Sequence, residues 1–140
     1  MIVSFELITW CLVAGAAYLL IIDLLWYKLE NIIPMFGGFP DHLLESRGVG
    51  WFVSTYVIEF VFFVMLPSVI YGWFYTVIPF YGIRGGVAAA LFVYILGMIP
   101  VGMLSLFRIK LPVMYILYLM FGLLIKFTGI MIIISYLYTL

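Results

Sequence analysis

The stretch 111–140, LPVMYILYLMFGLLIKFTGIMIIISYLYTL, carries one charged residue, Lys126. As a helix rising about 1.5 Å per residue it is about 45 Å long, more than the ~30 Å hydrocarbon core of a bilayer, so it must tilt or extend into the interface. Three further stretches share this character: 3–27, interrupted by Glu6 and Asp23; 51–80, interrupted by Glu59; and 85–107, without a charge. The whole chain has the same bias, with 69% hydrophobic and 9% charged residues over 140 positions and a mean hydropathy of +1.36. A water-soluble domain of this size buries only about two-thirds of its unfolded surface, which would leave much of that apolar area in water. The expected fold is an all-α membrane protein: four transmembrane helices in an up-down bundle, forming a single domain over 1–140 with a cytoplasmic loop at 28–50. The apolar runs are continuous, whereas a β-barrel needs alternating segments of about ten residues. The first run has neither a basic flank nor a small-x-small cleavage site, so it reads as a span rather than a signal peptide.

Orientation is expected from the short loops, since the cytoplasmic side collects Lys and Arg. Lys28 and Arg47 fall in the first loop and Arg108 and Lys110 in the third, against Arg84 on the side of the termini, so both termini are expected outside. With no organelle-targeting segment before the first span, the expected location is the plasma membrane of a bacterium or archaeon. Trp26, Tyr27 and Trp51 mark one headgroup level and Tyr71, Trp73 and Tyr75 the other; Tyr115 and Tyr138 bracket Lys126, which puts that lysine near the bilayer centre. Tyr94 is expected in the protein interior. In the first loop, 32–40 (IIPMFGGFP) reads as a turn-rich interfacial stretch. Next, 41–46 reads as a short surface helix capped by Asp41 and stopped near Gly48, with His42, Glu45 and Arg47 toward water.

The chemistry is sparse. One cysteine, Cys11, excludes an intrachain disulfide relay, and one histidine, His42, excludes a bis-histidine haem or a histidine-rich metal site within the chain. Gly85-Gly86 has no strand before it and no lysine after it, so it is not a phosphate loop. No catalytic constellation is present, and a non-enzymatic protein is expected. The exceptions to apolarity are Asp23, Glu59 and Lys126. An Asp or Lys at a span's centre costs roughly 2.5–3.5 kcal/mol on insertion scales, so each is expected to face protein or water and to find a partner. By helical rise, Asp23 lies about 8 Å inside Lys28, Glu59 about 12 Å inside Trp51 and Lys126 about 16 Å inside Tyr115, which allows a Glu59–Lys126 pair.

Small residues that let membrane helices approach closely recur at Cys11 and Gly15, at Gly86, Ala90 and Gly97, and at Gly122 and Gly129 on either side of Lys126. Pro67 and Pro100, which cannot donate to the carbonyl four residues before, predict kinks in the second and third helices. The two halves differ in loops and charges, so no inverted repeat is indicated. The chain resembles uncharacterised bacterial four-helix integral membrane families that carry a Trp-Tyr pair at the end of the first helix, here Trp26-Tyr27; this resemblance implies no activity.

Two function classes follow. The first is an accessory subunit of a larger membrane assembly, with other membrane subunits or copies of itself as partners, bound lipid, and no cofactor or nucleic acid. The second is a homo-oligomeric transporter or channel for protons, cations or small solutes, with Asp23, Glu59 and Lys126 along its path.

Overall fold

The computed structural model describes residues 4–32, 48–74, 76–109 and 113–139. Four helices there are long and apolar enough to cross a membrane: α1 (Phe5–Ile32), α2 (Val49–Phe74), α3 (Ile83–Arg108) and α4 (Val113–Thr139). The chain is a four-helix membrane-spanning protein. Each span is hydrophobic nearly all round, as a lipid-facing helix must be, and large side chains such as Trp10, Ile21, Phe62, Phe92 and Leu96 remain exposed on the outer faces.

Local chemistry sets the helix ends. Ser4 caps α1, its Oγ accepting from the Leu7 N–H at 3.1 Å. The second helix ends at Phe74 rather than near Phe80, because Pro79 and the restricted residue before it disfavour further helix; a turn follows, with Val77 and Ile78 N–H donating to the Phe74 carbonyl. Gly82 then takes φ +62° and ψ −137°, a conformation open essentially to glycine alone, and α3 starts at the next residue. The expectations for 33–40 and 41–47, including the surface helix with His42, Glu45 and Arg47, lie outside the described residues, as do Tyr75 and Lys110.

Pro67 and Pro100 act through a wider turn upstream. A π-helical segment, Phe60–Met65, precedes Pro67, and another, Tyr94–Met98, precedes Pro100. Each proline lacks an N–H and crowds the carbonyl one turn back; a π turn gives that carbonyl room and lets the helix continue.

The core gathers on α4, which supplies buried Phe127, Ile130, Met131 and Ile134 against Cys11 and Leu19 of α1, Val64 and Tyr71 of α2 and Ala90 of α3. α4 packs on all three other helices, most extensively on α3 and then α1. Glycines set the closest approaches. A Cβ at Gly86 would stand 2.6 Å from the Met131 carbonyl oxygen and the Ile132 Cα, one at Gly15 2.6 Å from Val64, and one at Gly122 3.0 Å from the Trp26 ring; Gly129 is covered by the Tyr18 ring. Gly97 differs from the expected packing role: it is exposed in the π turn of α3, with nothing within 4 Å of where a Cβ would stand. Among the described residues, no other helix is seated there.

Candidate functional site

Three helices converge on Lys126. α4 carries it on its buried face, between the glycines that draw α1 close. Its Nζ donates to Glu59 Oε1 of α2 at 2.8 Å and lies 2.8 Å from Asp23 Oδ1 of α1. The side chains are 11% (Lys126), 14% (Glu59) and 7% (Asp23) exposed, so the charges meet almost out of solvent. The two contacts differ in kind. The Glu59 contact is an aligned, charge-assisted hydrogen bond, whereas the Asp23 contact is an ion pair at the same distance with poorer hydrogen-bond alignment. Glu59 Oε2 is likewise buried without a donor. Glu59 sits at the last residue before the π turn of α2, so the proline-driven irregularity lies directly beside the charge cluster.

The sequence allows a Glu59–Lys126 pair and sets Asp23 among the same intramembrane charges without a named partner; the structure brings all three together. The missed signal was the Trp26 indole: it packs on Gly122 and stacks on Tyr118 with ring centroids 5.2 Å apart, which fixes α1 against α4 three residues from Asp23 and four from Lys126.

A small cavity of about 50 Å³ adjoins the cluster, lined by Asp23, Lys126 and Thr55 and by the aromatic girdle Trp26, Tyr27, Trp51 and Phe52 at the 28–50 end of the bundle. On the other side of the cluster, Leu19, Val64, Phe127 and Ile130 form a buried apolar layer. Tyr56 and Tyr18 commit their hydroxyls across helix interfaces, donating to the Ala16 carbonyl at 2.9 Å and the Ile125 carbonyl at 3.0 Å. Tyr94 donates to the Met120 carbonyl at 3.0 Å.

Beyond the apolar layer lies a second polar site that the sequence reading did not find. α2 and α4 each carry Ser-x-x-Tyr, as Ser68/Tyr71 and Ser135/Tyr138, and the two motifs bond reciprocally. The Tyr71 hydroxyl and Ser135 Oγ are 2.7 Å apart, Tyr138 donates to the Ser68 carbonyl at 2.7 Å, and the two tyrosine rings meet edge to face at 5.2 Å. Ser135 also donates to the Gly82 carbonyl at 2.7 Å, bringing in the turn before α3. The repeated spacing was a readable signal. Tyr71, read as an interfacial marker, is instead 5% exposed and buried between α2 and α4.

An apolar groove of about 950 Å³ lies between α2 and α3, floored by Phe127 and Met131 of α4 and walled by residues such as Phe63, Ile70, Ala89 and Phe92. Among the described residues, no group of three His, Cys, Asp or Glu side chains is placed to hold a metal ion. Comparison with protein-family models, with curated proteins and with solved structures returns no match.

Proposed function

We propose that the chain is a non-enzymatic, multi-pass subunit of a larger membrane assembly, and that the groove between α2 and α3 seats a transmembrane helix of a neighbouring subunit. The groove itself carries this reading. α4 covers three helices, whereas α2 and α3 part over Phe127 and Met131, leaving an elongated apolar trough instead of a helix–helix contact. Ala88 and Ala89 on its wall are small enough for a partner backbone to approach closely, the means by which helices associate in lipid. The apolar layer beside the charge cluster favours this reading over transport through a single chain, because an ion crossing it would lose every polar partner. On this proposal the protein resides in the plasma membrane of a bacterium or archaeon, with the 28–50 loop inside and both termini outside.

The test is site-specific photo-crosslinking in native membranes, followed by gentle extraction and mass analysis. A crosslinker at Phe92, in the groove, should capture one membrane protein in fixed ratio, while one at Ile21, on a lipid face of α1, should not. Ala89→Trp should fill the trough and abolish the capture. Capture of lipid alone, or of further copies of this chain alone, would refute the reading; the latter would redirect attention to a homo-oligomeric transporter using Asp23, Glu59 and Lys126.

A further inference from the structure

The charges around Lys126 do not balance. One ammonium faces two carboxyl groups, and with both ionised the cluster would hold a net negative charge among side chains that are about nine-tenths buried. An uncompensated charge in so apolar a setting is costly, and a buried site avoids it by taking up a proton or a cation. Two further observations indicate that a donor belongs here. Glu59 Oε2 is a buried acceptor with no hydrogen-bond donor, and both carboxyl groups place an oxygen 2.8 Å from the one Lys126 Nζ, so they face each other across a single ammonium. A proton on either one supplies the missing donor and brings the cluster to neutrality.

The small cavity provides access. Its polar end is formed by Asp23 and Lys126, Thr55 offers a hydroxyl along the way, and the other end lies at the Trp26–Trp51 girdle. At about 50 Å³ it has room for a water molecule beside several polar partners.

We infer that Asp23, Glu59 and Lys126 form an exchangeable proton-binding site, one proton being shared between the two carboxyls and reaching them from the aqueous phase on the 28–50 side. A hydronium in the cavity transfers its proton to a carboxylate oxygen and leaves as water; the ammonium of Lys126 holds the other carboxylate ionised. The surrounding groups leave this role to the pair. On α1, Tyr27 lines the cavity and Lys28 lies further toward the surface; on α2, the Tyr56 hydroxyl is committed to the Ala16 carbonyl. On α4, Lys126 is the ionisable group at this level. Arg84 and Arg108 sit at the two ends of α3, and Tyr94 donates to the Met120 carbonyl. Among the described residues, the cavity adjoins the cluster on the 28–50 side and the apolar layer of Leu19, Val64, Phe127 and Ile130 lies on the other, so the site binds and senses protons and does not conduct them through this chain. The inference does not depend on what fills the groove.

Infrared titration of the full chain in nanodiscs of defined phospholipid tests it. The wild type should show a protonated-carboxyl stretch that persists at neutral pH, shifts in deuterium oxide and disappears reversibly at alkaline pH. Asp23→Asn and Glu59→Gln should each remove it, because one carboxylate and Lys126 are already neutral together; circular dichroism checks that both variants fold. A wild type with no such stretch at neutral pH would overturn the inference without any variant. So would a stretch that survives both substitutions, or one removed at constant pH by sodium or potassium chloride, which would assign the cavity to a metal cation.

Discussion

Removing both carboxylates around Lys126 should cost more than the sum of the two single removals. In Asp23→Asn, Lys126 keeps its 2.8 Å hydrogen bond to Glu59, and in Glu59→Gln it keeps Asp23 at 2.8 Å while the new amide oxygen can still accept. Each single variant therefore loses one contact within a neutral pair, about 1 kcal/mol. In the double variant the ammonium is buried without a counter-charge, which costs about 3–5 kcal/mol; the two amide oxygens put the value near the lower end. The coupling is thus about 1–2 kcal/mol in the direction of extra destabilisation, well above the ~0.5 kcal/mol scatter of independent sites. The assay is reversible unfolding in mixed micelles followed by tryptophan fluorescence, since Trp26 and Trp51 line the adjoining cavity. Additivity within about 0.5 kcal/mol, or a double variant as stable as the wild type, would refute the claim that Lys126 depends on these two partners.

Gly86→Leu should destabilise by about 1–3 kcal/mol or prevent folding, because its Cβ would meet the α4 backbone at 2.6 Å, whereas Gly97→Ala should be neutral or stabilise by up to about 1 kcal/mol; the same unfolding assay reads both. Ser135→Ala should cost about 1 kcal/mol, since it leaves the Tyr71 hydroxyl and the Gly82 carbonyl without their shared partner, and amide exchange should rise in the turn before α3. Ala89→Trp should block capture by the Phe92 crosslinker while the chain still folds by circular dichroism; because Ala89 lines the groove but also packs in part against the core, it should cost about 1–3 kcal/mol.

The four spans could be read from the sequence because lipid demands length and apolarity, and both are local properties. What depended on distant partners was harder to read. Gly15, Gly86, Gly122 and Gly129 share a signature with Gly97, yet only a three-dimensional neighbour distinguishes a seat for another helix from an open π turn. The prolines announced an irregularity, but its form as a wide turn beginning beside Glu59 depends on how α2 packs Ser68 and Tyr71 against α4. Depth arithmetic brought Glu59 and Lys126 to one level; the inclusion of Asp23 rests on the rotation of α1, which Trp26 against Gly122 sets.

The contrast between the two polar sites along α4 separates structural need from function. At the end of the bundle that carries the chain termini, reciprocal Ser-x-x-Tyr motifs fix the register of α2 against α4 with neutral hydroxyls alone. Register at the 28–50 end could be fixed without charges, since replacing a buried ion cluster by apolar residues of similar volume is often neutral or stabilising by about 1–4 kcal/mol. The triple variant Asp23→Leu, Glu59→Met, Lys126→Met should therefore fold and unfold at least as stably as the wild type, with the cavity beside Asp23 taking up the added volume. If it does, and the protonated-carboxyl stretch is gone, then the charges serve proton binding and not the bundle. If it instead loses several kcal/mol relative to the wild type, the cluster is a structural clamp.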